Sequence, residues 1–225
     1  MKITILTGAG ISAESGLGTF RDEDGLWTKY DLSEVATPEG FVRNPALVHD
    51  FYNARRANCL EATPNAAHLA LAALARAHDV TLVTQNVDDL HERAGSPRVI
   101  HMHGQLLRAL CNACGHRWDA PREMHPSDPC PACAAPATRP DVVWFGEVPY
   151  AMDTIAEAVQ SADLFVAIGT SAEVYPAAGL VELARGETLE INLAPSARAN
   201  AFGARRFGPA TEVVPAWVAE LTPRS

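Results

Sequence analysis

The chain has 225 residues, a formal net charge of −9, and is 48% hydrophobic and 20% charged. Those proportions belong to an ordinary globular protein long enough to bury a full core. The acidic balance excludes sequence-independent binding to nucleic acid or to an anionic membrane, which need basic surface, and leaves a basic peptide acceptable as a partner. No apolar run approaches bilayer length and the N-terminus carries no signal-peptide pattern, so a cytoplasmic protein is expected.

The first strand is predicted at 3–6, followed by Gly8-Ala9-Gly10-Ile11-Ser12-Ala13, which fits the G-x-G-x-x-G/A turn that brings backbone N–H groups up to a pyrophosphate. A packing helix should come next. Instead the chain runs through Glu14, Ser15, Gly16, Gly18, Arg21, Asp22, Asp24 and Gly25, which have no helical stripe. Helices are predicted at 45–59 and, after Thr63-Pro64, at 65–78, then strands at 80–84 and 98–102. From Cys111 to Pro140 periodicity lapses into a proline-rich segment with four cysteines, an insertion too small for its own core. Helix 149–161, strand 163–168, helix 176–185, strand 188–191 and helix 213–221 complete the chain. This alternation predicts an α/β fold with a parallel sheet.

Ligands of open parallel sheets bind beyond the carboxyl ends of the strands. Each polar cluster falls at such an end: Gly8 to Gly10, Gln85 to Asp88, His103-Gly104, Gly169 to Ser171, and Asn192. They are expected to line one crevice. Of the histidines in "HMHG", His101 and His103 are expected to share a strand face, with His103 at the ligand end beside a glycine that would let a ligand approach. His103 is therefore the candidate general base, against the alternative of a structural histidine.

Cys111-x-x-Cys114, fifteen residues, then Cys130-x-x-Cys133 has the spacing of a four-thiolate zinc site. Two disulfides are the competing reading, disfavoured in a reducing cytosol. A closed thiolate shell leaves no place for water, so one structural Zn2+ per chain is expected. Cys59, within a helix, reads as a small core residue.

Taken together, "GAGISAESGLGTFR", "TQNVDDLHERAG", "HMHG", the paired Cys-x-x-Cys motifs, "VVWFGE", "GTS" and "INL" resemble the sirtuins, the NAD-dependent protein-lysine deacylases, in their bacterial class III form. The resemblance implies a Rossmann-like NAD-binding domain from 1–30, 60–107 and 141–225, carrying a small helical and zinc-ribbon module from 31–59 and 108–140. It implies NAD contacts from Gly8, Ala9, Gly10, Thr19, Phe20, Arg21 and Trp27, with Gln85, Asn86 and Asp88 at the nicotinamide ribose. Gly169, Thr170, Ser171, Asn192, Leu193 and Ala210 would hold the adenosine half.

His103 would be the base, and Phe145, Gly146, Glu147, Val174 and Tyr175 would take an acyl-lysine protein or peptide as an extended strand. Tyr52 and Arg55, three apart on a helix, match the pair that binds the distal carboxylate of acidic acyl groups, with Ala36 leaving room. The implied activity is removal of acetyl, succinyl or malonyl groups by a monomer, giving nicotinamide, O-acyl-ADP-ribose and free lysine. The alternatives are a protein ADP-ribosyltransferase and a non-catalytic NAD and zinc module. Gly18 stands where the family has proline, which should loosen the loop.

Overall fold

The computed structural model describes residues 1–18 and 30–222. Strand β1 (Lys2–Thr7) opens the chain; α1 (Leu32–Val35), α2 (Pro38–Arg43), α3 (Pro45–Glu61) and α4 (Ala66–Ala77) precede β2 (Asp79–Thr84). Then come α5 (Leu90–Arg93), β3 (Val99–His101), β4 (Gly104–Cys111), β5 (Arg117–Asp119) and β6 (Thr138–Val142). The last third is α6 (Met152–Gln160), β7 (Leu164–Ile168), β8 (Glu187–Asn192), β9 (Ala204–Phe207) and α7 (Ala210–Leu221).

Six strands form a parallel sheet in the order β3-β2-β1-β7-β8-β9, as the alternating pattern predicts. The chain winds outward from β1 in one direction and then from β7 in the other, which puts the topological switch between these two strands. Residues alternate between the faces. Ile3, Ile5, Leu82, Val166, Ile168 and Ile191 pack against Leu71 and Leu74 of α4 and Val214, Trp217 and Val218 of α7. Leu6, Val83, Phe165 and Ala167 pack on the other side against Ile155 and Val159 of α6. Each such aliphatic side chain contributes about 1.5–3 kcal/mol by leaving water.

Among the described residues no α-helix follows the first glycine turn directly. Two short 3₁₀ turns, Ala9–Ile11 and Ala13–Ser15, take its place, and α4 covers that part of the sheet. Asn65 caps α4 by accepting from Ala67 N and His68 N, and its amide donates to Ile11 O at 2.8 Å and Ser15 Oγ at 3.0 Å. Glu14 receives Thr211 N and Oγ1 at the start of α7. The segment predicted as a helix at 176–185 is a 3₁₀ helix, Ala177–Leu183, and α7 begins at Ala210 despite Pro215 in its interior.

The insertion is more regular than its sequence suggests. Strands β5, β4 and β6 make an antiparallel sheet, and its inner face joins Val48, Phe51 and Tyr52 of α3 through Leu106, Val142 and Trp144 in a third core. The buried Arg56 anchors α3 to the insertion, donating to Leu106 O at 2.9 Å and Arg122 O at 3.3 Å. Asn53 adds a two-way bond with the backbone of Met124.

Beneath the carboxyl ends of β1 and β2 lie two buried histidines, with ring centroids 4.9 Å apart. His68 Nδ1 accepts from Asn65 N, so its Nε2–H points at Ser12 Oγ. Thr7 Oγ1 donates to Thr84 Oγ1 and so accepts from His91 Nε2–H, leaving the buried His91 Nδ1 without a partner among the described residues. Burial pushes both down, His68 to about 4 and His91 to about 3. Both are neutral in the fold at pH values where the unfolded chain has already bound the protons. Stability is therefore full above about pH 6.5 and falls as the pH drops toward 4, each histidine contributing a slope of about 1.4 kcal/mol per pH unit. Urea midpoints measured from pH 7.5 to 4.5 should decline on this schedule; a flat profile would show that neither proton matters.

Candidate functional site

The strand-end clusters converge. Gly8 N donates to Ile168 O and Gly10 N to Gly169 O, both at 2.9 Å, which locks the end of β1 to the end of β7. A methyl group at Gly8 or Gly10 would strike the Gly169 backbone, and Gly169 itself has φ +62°. These three glycines are required by the contact of two backbones at the switch point. Ala9 lies between them and is half-buried.

A polar shelf sits beside this turn. Asn86 donates to Gly8 O and to Ser12 Oγ, each at 3.1 Å, and Ser12 Oγ donates to Asp88 Oδ2 at 3.1 Å. Asp88 Oδ1 also accepts from Leu90 N. Burial raises the Asp88 carboxyl above its ordinary value, opposed by these hydrogen bonds. Gln85 reaches across the sheet from β2 to Thr170 Oγ1 at 2.9 Å, and Asn192 donates to Thr170 O at 2.8 Å. Ser171 O accepts from Ala197 N; Leu193 is 73% exposed on the rim, and Ala210 starts α7. Thr19, Phe20, Arg21 and Trp27 lie outside the described residues.

Strand β3 ends at His101, so His101 and His103 do not share a strand face as expected. His101 turns inward between Asn86 O and Glu92 Oε1. His103 stands in the turn to β4, where its Nδ1 lies 3.1 Å from Gln85 O. A carbonyl only accepts, so Nδ1 carries the proton and Nε2 keeps its lone pair. Burial holds His103 below the ordinary histidine value, and the Gln85 bond partly offsets it. The neighbouring Gly104 serves a different purpose from the one expected: a side chain there would collide with the carbonyl of Asp141 on β6. The space beside it is taken by β6. A cavity of about 410 Å³ opens beside this turn, lined by His101, Gln105, Arg108, Arg117, Asp141 and Tyr150.

Tyr52 and Arg55 meet on α3, where the guanidinium lies 5.4 Å from the Tyr52 ring centroid. Tyr52 Oη accepts from Trp144 Nε1 at 3.0 Å. Burial lowers Arg55 and raises Tyr52 from their ordinary values, the mark of polar groups in a partly dry recess. Ala36 is buried beside them and its carbonyl accepts from Phe145 N. Phe145 is half exposed and Gly146 turns with φ +90°. Glu147 is engaged internally: it pairs with Arg139 at 2.7 and 2.9 Å and accepts from Trp144 N. Val174 and Tyr175 are exposed, with Arg198 over the Tyr175 ring.

The four cysteines gather as their spacing predicts. Cys111 Sγ lies 3.7 Å from Cys133 Sγ and Cys114 Sγ 3.8 Å from Cys130 Sγ, with all four inside 4.8 Å of one another. A zinc–sulfur bond of about 2.3 Å gives a tetrahedron edge of about 3.8 Å, whereas a disulfide needs about 2.05 Å. The donor set fits a structural zinc. Cys59 is buried, its thiol pushed up to about 12 by burial, as a core residue should be.

A model of the Sir2 family matches residues 8–176. The chain belongs to the Sir2 family. It is 60% identical to an NAD-dependent protein deacylase of Caulobacter vibrioides, over all of this chain and 98% of that one. It is 53% identical to one of Escherichia coli, over 98% of this chain and 82% of that one. Its structure superposes on a Sir2 homologue in complex with NAD at TM-score 0.90 and 40% identity, covering 97% and 88% of the two chains. A Sir2 complex with a deacetylated p53 peptide and 3′-O-acetyl ADP-ribose matches at TM-score 0.81 and 28% identity, covering 97% and 92%.

Ser12 and His68 brace Asn86 and Asp88 from below, and Arg139 shapes the Trp144–Glu147 turn, though none of the three stands out in the sequence of this Sir2 chain as a site residue. The available signals were a hydroxyl directly after a glycine turn and an arginine inside a buried strand, both residues that need a partner when buried.

Proposed function

We infer that this chain removes acyl groups from protein lysine at the expense of NAD. The carrying observation is His103, fixed as the Nδ1–H tautomer by Gln85 O at the mouth of the switch-point crevice. When bound, NAD would supply an electrophilic ribose carbon, taken by the acyl oxygen as nicotinamide leaves, and the neighbouring hydroxyl that takes the acyl carbon; with one water consumed, the products would be nicotinamide, O-acyl-ADP-ribose and free lysine. His103 Nε2 receives the proton from that hydroxyl relay while Gln85 holds the ring. Asn86, Asp88 and Gln85 line the nicotinamide ribose, and the Gly169–Ser171 turn with Asn192, Leu193 and Ala210 lines the adenosine half. Ala9 and Gly10 bring the turn backbone up to NAD, and the family resemblance adds Thr19, Phe20, Arg21 and Trp27, which lie outside the described residues, as further NAD contacts that would help keep water from the cationic carbon. The cysteine module, residues 108–140 with helices from 31–59, braces the NAD-binding body. The peptide lies as an extended strand between Phe145–Gly146 and Val174–Tyr175, and a monomer acting in the cytoplasm suffices.

The acyl preference we propose is for acidic groups. A half-buried guanidinium with a phenol beside it gains from a carboxylate, and acetyl-lysine offers none. Acetyl-, succinyl- and malonyl-lysine peptides incubated with NAD, with nicotinamide and peptide products followed together, test both statements. Arg55→Met should lose desuccinylation by about thirtyfold or more and deacetylation far less, because the substrate carboxylate would stay buried without its partner. Equal losses would make the pair structural, and ADP-ribose found on the protein instead of on the acyl group would make the enzyme a transferase.

A further inference from the structure

We propose that Arg117, Asp141 and Tyr150 form a positioning cluster that holds the His103 turn and ties it to the cysteine module. The Asp141 side chain is only 8% exposed. It accepts from Tyr150 Oη at 2.8 Å and from Arg117 Nε at 3.0 Å. Arg117 Nη2 also donates to Tyr150 Oη at 3.3 Å, and its guanidinium sits 5.3 Å from the ring centroid. The three residues come from separate stretches: Arg117 on β5 just after the first Cys-x-x-Cys, Asp141 on β6, and Tyr150 before α6.

The stretch from Asp141 to Tyr150 touches the His103 turn along its backbone. Val143 N donates to His103 O and Tyr150 N to Met102 O, both at 2.9 Å, while the Asp141 carbonyl fills the place a side chain at Gly104 would take. The turn that presents His103 is thus gripped on each side of the histidine, and the cluster fixes the grip. Arg117 brings in the module, since the hairpin it sits on closes through Cys111 N to His116 O. A base transfers a proton only within hydrogen-bond reach, so a small shift of this grip acts on turnover more than on binding.

The inference rests on His103 acting as the base. Asp141→Asn keeps the shape but turns an amide donor toward groups that are already donors. It should lower kcat about tenfold or more while leaving KM for NAD and peptide nearly unchanged. Imidazole ¹⁵N spectra should show His103 as the Nδ1–H tautomer in the wild type and as a mixture in the variant. Arg117→Lys should keep most of the turnover and Arg117→Met should not, which decides the matter if Asp141→Asn does not fold. Wild-type kcat in folded Asp141→Asn, or lost turnover with an unchanged His103 spectrum, would overturn the cluster's role. If His103→Ala itself retained full turnover, the functional reading would fall, and the spectra would still report whether the cluster sets the tautomer.

Discussion

Replacing His103 with alanine is expected to lower acyl-lysine turnover by about 10²–10⁴, the usual contribution of a positioned general base. The expectation follows from geometry before titration. Nδ1 is committed to the Gln85 carbonyl, so the only basic nitrogen is Nε2, and no other described histidine combines that tautomer with a place at a strand-end turn. His101 is bonded at both nitrogens, and His68 and His91 are sealed beneath the sheet ends. The depressed affinity of His103 for protons keeps it neutral and ready to accept at neutral pH. Peptide binding, measured by anisotropy, should survive the substitution because none of the peptide contacts proposed above uses the imidazole. Full turnover in the variant would remove the imidazole from the reaction.

Loss of the metal should have the larger effect on the fold. Cys130→Ser, or exhaustive chelation, takes away a site whose binding free energy, about 10–16 kcal/mol in small zinc modules, is largely folding free energy. The segment has little apolar content to fall back on: Met124 is buried, but Cys114 and Cys133 are exposed. The thermal midpoint should fall by roughly 10 °C or more, since even a few kcal/mol moves a chain of this size that far. Elemental analysis should find one zinc per chain, and its release should track unfolding. An unchanged midpoint after complete removal of the metal would mean that the antiparallel sheet supports itself through α3.

The parallel sheet was legible because its strands are buried on both faces and read as unbroken apolar runs, such as Leu164–Ile168 after the amphipathic α6. The cysteine spacing was legible because a tetrahedral shell constrains sequence directly. Strands β4 and β6 were not. Gln105 and Arg108 interrupt β4 around a bulge, and Thr138-Arg139-Pro140-Asp141-Val142 looks like a loop until Arg139 and Asp141 find Glu147 and Arg117. A polar residue in a strand signals nothing until its partner, distant in sequence, is known. For the same reason the role of Gly104 was misread, since only the fold reveals that another strand occupies the space beside it. At Glu147 the motif suggests substrate contact, and in the fold its carboxylate also pairs with Arg139, which the sequence does not reveal.

Asn65 begins a helix and grips the glycine turn with one side chain, its oxygen on Ala67 and His68 and its nitrogen on Ile11 and Ser15. Any rearrangement of that turn as nucleotide enters must therefore be answered at the first turn of α4. Amide exchange at Ala67 and His68 becomes a gauge, inside the body of the protein, of what happens at the crevice.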